Sequence, residues 1–254
     1  MMKLLRDTAL IFARSLQITL RNPVWIVFGM FQPLCFLLLF APLLEKLAGN
    51  PAFGTGSSLS VFVPGLMIMI ALFSTSFVGF ALIDEIRSGV IERLRVTPIN
   101  RTAILLGRSL RDVFILLFQT TFLLLVAWLL GLQAPLYGIL LSYGFVVLVG
   151  FTMSVISNTI AFVVQSEDAL APIINFFLLP LQLLAGITLP LTLAPQWLQN
   201  VALFNPLAHA VSATRALFVG DYNNNSIIIG YAVMTLVAFL IFCWSTSLFK
   251  KMAE

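Results

Sequence analysis

Long apolar runs separated by short charged stretches organise this chain. No charge interrupts residues 22–44, 47–83, 113–166, 169–214 or 222–249. A membrane-spanning helix takes roughly 20 apolar residues to cross about 30 Å of hydrocarbon. The runs therefore predict one, one, two, one and one spans, placed at 24–44, 61–83, 113–132, 138–163, 169–189 and 227–249. Glu45 to Ser60, rich in Gly, Ser and Pro, reads as a loop, and Gln133-Ala134-Pro135 as a tight turn. The fifth span is expected to be irregular, because Pro172, Pro180 and Gly186 interrupt it.

Residues 3–21 have a different pattern. At helical spacing Lys3, Arg6, Asp7, Arg14, Gln17 and Arg21 fall within one arc of about 100°. Leu4, Leu5, Ile11, Phe12, Leu16 and Ile18 fill much of the remainder. Such a helix lies in the headgroup plane rather than across the bilayer. Asn22-Pro23 ends it and turns the chain into the membrane. No small-residue cleavage site follows, so this is not read as a signal peptide and the first span is expected in the mature protein.

Residues 190–220 are apolar enough to touch lipid, yet they hold Pro190, Pro195, Asn205, Pro206, His209 and Arg215. They read as short interfacial or re-entrant helices. A seventh span over 197–219 would bury Arg215 at a cost of about 2.5–3.5 kcal/mol. With six spans, twelve of the basic residues fall on one side and only Lys46 and Arg215 on the other. Basic residues collect on the cytoplasmic side, so both termini are expected there.

Composition agrees: 60% of the 254 residues are apolar, 9% are charged, and the mean hydropathy is +1.05. That is too little charge to cover a soluble domain. Cys35 and Cys243 lie in separate spans and form no ligand cluster, and His209 is the single histidine. No nucleophile–base pair is recognisable. Most spans carry no ionisable residue near the midplane, which argues against an ion-driven carrier. No phosphate loop of the form G-x-x-x-x-G-K-[ST] is present, so hydrolysis of ATP by this chain is not expected.

One charged stretch separates spans two and three, and it opens DEIRSGVIERLRVTP at 84–98. Asp84, Glu85 and Glu92 interleave with Arg87, Arg93 and Arg95; Gly89 permits a sharp turn and Pro98 stops a helix. Two readings stand side by side: a short helix that docks into a groove on a soluble partner, or a solvated loop with the usual basic bias.

Three passages resemble the type-2 ABC exporter permeases, particularly the daunorubicin-resistance-like branch. VPGLMIMIALF at 63–73 is similar to that family's second-span opening, and IDEIRSGVIERLRVTPINRTAILLGRSLRD at 83–112 to its signature loop. Asn205, Pro206, Arg215, Gly220 and Asp221, preceded by AGITLP at 185–190 and APQWL at 194–198, resemble its outer segment. The resemblance covers most of the chain, in the family's order.

The resemblance implies an all-α integral membrane protein: one transmembrane permease domain over 1–254, with an interface helix at 3–21, a coupling segment at 84–98 and an outer re-entrant segment at 190–220. It implies a permease subunit of an ATP-driven exporter of amphipathic drugs, lipids or glycoconjugates, working in the cell (inner) membrane beside a second, identical or homologous permease. A separate dimer of ABC ATPase subunits would bind ATP and Mg; this chain would hold no cofactor, metal or catalytic residue, and no nucleic acid. Coupling falls to Asp84, Glu85, Arg87, Gly89, Glu92, Arg93, Arg95 and Pro98, with a second cytoplasmic contact at Gln165, Glu167 and Asp168. Ser74, Thr75, Ser76, Asn175 and Gln182 are candidates to line the path, or else to form interhelical hydrogen bonds. A lipid-modifying membrane enzyme and a non-transporting receptor subunit remain alternatives. Topology is directly testable. Cysteines at Ser57, Ala134 and Asn224 should react with an impermeant maleimide on whole cells, and cysteines at Ser88 and Ala253 should not. External labelling at Ala253 would overturn the six-span arrangement.

Overall fold

The computed structural model describes residues 2–21, 23–46, 58–90, 101–187, 191 and 194–251. Helices make up nearly all of it: α1 (Met2–Arg21), α2 (Val24–Lys46), α3 (Ser58–Ser76), α4 (Gly79–Arg87), α5 (Arg101–Leu129), α6 (Leu136–Val164), α7 (Glu167–Leu184), α8 (Gln196–Ala202), α9 (Pro206–Val219) and α10 (Asn225–Lys251). Five stretches are long and apolar enough to cross a membrane: Leu59–Arg87, Thr102–Leu129, Leu136–Val164, Glu167–Leu184 and Asn225–Leu248. The bent pair α1–α2 supplies a sixth candidate.

That bend is 69°. Pro23 opens α2, its carbonyl accepting from the N–H groups of Ile26 and Val27. Toward the bundle α1 turns Thr8, Ile11 and Ser15, and also Asp7, which the polar arc had placed outside. Leu5, Leu10, Ile18 and Leu20 face outward, as a helix lying against lipid requires.

The core is α3. Every residue from Leu66 to Leu72 is without exposed surface, enclosed by α2, α5, α6 and α9. Lipid already shields apolar surface, so close packing and dispersion rather than the hydrophobic effect hold such a helix in place. At the other extreme, matched by α10, is α7, with 17% of its apolar stretch buried against 67% for Leu59–Arg87. Its Phe176, Phe177, Leu179 and Leu183 project outward.

Two spans differ in their boundaries from the sequence reading. The third span begins earlier, because residues 101–112, expected as part of the charged connection, continue α5 as one helix. The charges of Arg108, Arg111 and Asp112 are tolerated there because neighbouring side chains pair them. The fifth ends at Leu184 rather than 189, and it starts at Glu167, two acids of the expected elbow forming its first turn. Carboxylates suit that position, where the helix dipole is positive.

Past α7 come two helices too short to cross a bilayer, α8 of 7 residues and α9 of 14. Asn205 caps α9, its Oδ1 accepting from the Leu207 N–H at 3.0 Å, and Pro206 occupies the first turn, where its missing N–H costs nothing. The Asn205 amide also reaches back to the Leu181 carbonyl at 2.8 Å. Gly220, at φ 83°, closes α9. Arg215 donates to the carbonyls of Val61, Gly186 and Ile187 at 3.0, 2.7 and 3.1 Å, tying this segment to the top of α3. Burial pulls its pKa down to about 10, which leaves it charged at neutral pH. Gly65 permits the approach, since a Cβ there would overlap the Ile187 carbonyl. Two short helices, rather than a seventh span, follow from these bonds. Gly65→Leu should therefore destabilise the detergent-solubilised chain by about 1–3 kcal/mol, read as a lowered melting temperature. An unchanged melt would show that the outer segment does not pack on α3.

Candidate functional site

Polar chemistry concentrates at the end of the bundle where α4 stops, α5 starts and α6 hands over to α7. The long helix Leu59–Arg87 breaks at Phe77 and Val78. Ahead of the break Thr75 and Ser76 return their hydroxyls to the carbonyls of Ala71 and Leu72, at 2.6 and 2.5 Å, a pattern that bends helices. Ser157 of α6 enters the gap, donating to the Ser76 carbonyl at 2.6 Å and accepting from the Gly79 N–H at 2.9 Å. These two bonds bridge the break, and α4 is held against α6.

Downstream, α4 carries Asp84, Glu85 and Arg87. It ends with Ser88 N–H on the Asp84 carbonyl and Gly89 N–H on the Ile86 carbonyl, at 3.0 and 3.1 Å. Gly89 adopts φ 70°, a left-handed conformation that favours glycine. Arg87 Nη1 lies 2.5 Å from Glu167 Oε1. The first predicted contact thus stands beside the second across 80 residues of sequence. At that second contact Gln165 closes α6 with φ 53°, Ser166 precedes α7, and Asp168 follows Glu167 in its first turn. Glu92, Arg93, Arg95 and Pro98 lie outside the described residues.

Glu85 points inward. Its carboxylate pairs with Arg108 Nη1 at 2.5 Å, and Arg108 is 3% exposed. Asn158 Oδ1 lies 3.4 Å from Arg108 Nε. Next to it Asp112 accepts from Ser154 at 2.6 Å and pairs with Arg111 Nε at 2.8 Å, while Arg111 Nη1 donates to Thr19 of α1 at 2.6 Å. Four helices, α1, α4, α5 and α6, thereby share one polar network. The sequence reading counted Arg108 and Arg111 only as basic residues and missed Asp112, Ser154, Ser157 and Asn158. A signal was present: Ser154, Ser157 and Asn158 sit at i, i+3 and i+4 inside an apolar run, one polar stripe on one face.

Of the candidates for the path, Ser74 donates to Gln119 Oε1, whose Nε2 donates to the Ile26 carbonyl at 2.8 Å, so α2, α3 and α5 are linked. Thr75 and Ser76 are buried at the break. Asn175 is exposed on α7 and donates to the Ala171 carbonyl at 2.9 Å, and Gln182 is half-buried.

The profile of the ABC-2 type transporter family matches residues 6–219, through both the polar network and the outer segment. The chain belongs to this family. Its relatives include a transport permease–type protein of Cyanophora paradoxa, 28% identical over 200 residues, covering 78% of this chain and 69% of that one. The daunorubicin resistance ABC transporter permease protein of Streptomyces coeruleorubidus is 29% identical over 202 residues, covering 78% and 70%. An inner membrane transport permease of Escherichia coli K12 is 30% identical over 156 residues, covering 58% and 40%. As an ABC-2 permease, the chain is a multi-pass membrane protein of a transport family with drug-resistance members.

Within this permease the Glu85–Arg108 pair joins α4 to α5 through a buried arginine. Arg108→Ala should lower stability by about 3–5 kcal/mol by stranding a carboxylate among helices, and Glu85→Leu with Arg108→Met should recover much of that. Thermal melts of the single and double variants test this; a double variant as unstable as Arg108→Ala would refute it.

Proposed function

We propose that the chain is the permease half of an ATP-driven exporter, with separate ABC ATPase subunits docking at the charged end and a second permease completing the unit. One observation carries this: Arg87 and Glu167 bring the two predicted contacts together at the foot of the most buried span. Asp84 and Arg87 stay exposed for a partner, whereas Glu85 anchors α4 to α5. The residues Glu92, Arg93, Arg95 and Pro98 extend the same docking segment, and Gln165 and Asp168 flank Glu167. Charges of both signs set register on a partner groove more than they add affinity.

In this reading ATP and Mg bind the partner, and closure of the ATPase pair pushes α4. The push reaches α3 through the break bridged by Ser157 and reaches α1 through Arg111. The loosely packed α7 then moves relative to α3, and Ser74, Thr75, Ser76, Asn175 and Gln182 lie along the path that opens. The basic residues on α1 and near the ends of α4 and α10 orient the charged end, and both termini, toward the cytoplasm of the cell (inner) membrane. The drug-resistance relative supports an amphipathic drug, and lipids and glycoconjugates belong to the same amphipathic class.

The exposed Arg87–Glu167 pair is worth under about 1 kcal/mol to the fold. Arg87→Glu and Glu167→Arg should therefore leave the melt nearly unchanged, yet each should weaken capture of the ATPase or uncouple its hydrolysis from export in vesicles. The double exchange should restore part of the loss. Gly89→Val should uncouple through its left-handed backbone alone. Normal capture and export in all of these variants would return residues 84–98 to a solvated loop.

A further inference from the structure

Between α1, α2, α3, α4 and α5 the helices do not close on one another, and a cavity of about 510 Å³ remains within the single chain. Phe28, Phe73, Phe77 and Phe80 form much of its apolar wall. The size falls within the roughly 300–1,000 Å³ of sites that hold drug-sized molecules. Asp84, Glu85, Arg111 and Asp112 also line it.

Those charges are not equally committed. Glu85 is taken by Arg108, and Arg111 by Asp112 and Thr19. Asp84 is exposed and has no partner among the described residues. Among the described residues, and apart from the docking role proposed above, the charge at the cavity without a partner is therefore a carboxylate, lining the same cavity as aromatic rings whose faces also attract cations. An anion would meet repulsion there, and a purely apolar molecule would leave the carboxylate unused.

We propose that this cavity binds a cationic amphiphile: a drug-sized apolar or aromatic body bearing an amine, quaternary ammonium or other lipophilic cation, its charge against Asp84. As a capture site for cargo it rests on the export reading above; as a binding site it does not. Its wall includes Phe77 and Val78, the two residues of the α3–α4 break, so an occupant touches the joint through which α4 is held to α3.

The test uses a near-isosteric pair of ions that differ in sign, tetraphenylphosphonium and tetraphenylborate. Each is titrated against the full chain in phosphatidylcholine nanodiscs, with empty discs subtracted. The cation should bind saturably and the anion should not. Asp84→Asn, an amide of nearly the same shape at an exposed position, should weaken the cation about tenfold. Ala81→Trp, which grows into the cavity, should abolish saturable binding; if that variant fails to assemble, Asp84→Asn decides alone. Equal binding of both ions, or unchanged cation affinity in Asp84→Asn, overturns the proposal. Cation binding that depends on Asp84 in a chain that exports nothing with its ATPase keeps the site and removes the export reading. Export without such binding removes the site and keeps the reading.

Discussion

Hydrocarbon supplies no hydrogen bonds, so every interruption of a helix in this chain needs a partner from elsewhere in the protein. Three such places are answered by named side chains. Ser157 fills the break between α3 and α4 from α6, and Asn205 reaches from the head of α9 to the Leu181 carbonyl of α7. Arg215 gathers three carbonyls where α7 has ended and α3 begins. An arginine that is an obstacle to a seventh span thus becomes the fastening of a segment that turns back.

The same constraint explains where the charges sit. Arg108, Arg111 and Asp112 are buried, but they lie within the first twelve residues of α5, against α1, α4 and α6, where a single network links them. Burying a pair is more tolerable when remaining donors and acceptors find partners; Ser154, Asn158 and Thr19 supply several, while Arg108 Nη2 has none among the described residues. Rigidity follows. Four helices are cross-linked at the end proposed to receive a partner, whereas α7, exposed over most of its apolar surface, is held by the exposed Arg87–Glu167 pair and by Asn205 on the Leu181 carbonyl. A bundle stiff at its charged end and loose along one span suits the conversion of a push into a relative displacement.

Much of this was legible in the order of residues. Apolar run length placed the spans, since crossing a bilayer is a matter of local length and hydropathy. Asn22-Pro23 marked the bend between α1 and α2, and Asn205-Pro206 and Gly220 marked the ends of α9, because caps and proline geometry act within a few residues. Gly89 likewise announced its turn.

Pairing was not legible. Glu85 and Arg87 stand two residues apart in one charged run, yet one turns into the bundle onto Arg108 and the other out onto Glu167. Ser74 bridges to Gln119 while Thr75 and Ser76, its neighbours, fold back on their own helix. Asp7 shares the polar arc of α1 with Arg6 and Arg14 but is buried while they are exposed. Sequence by itself determined the spans and the ends marked by proline, glycine and caps, because hydropathy, proline and capping act through adjacent residues. Which polar group meets which was decided only by tertiary structure, since the partners lie up to 154 residues apart and meet only once the helices have packed.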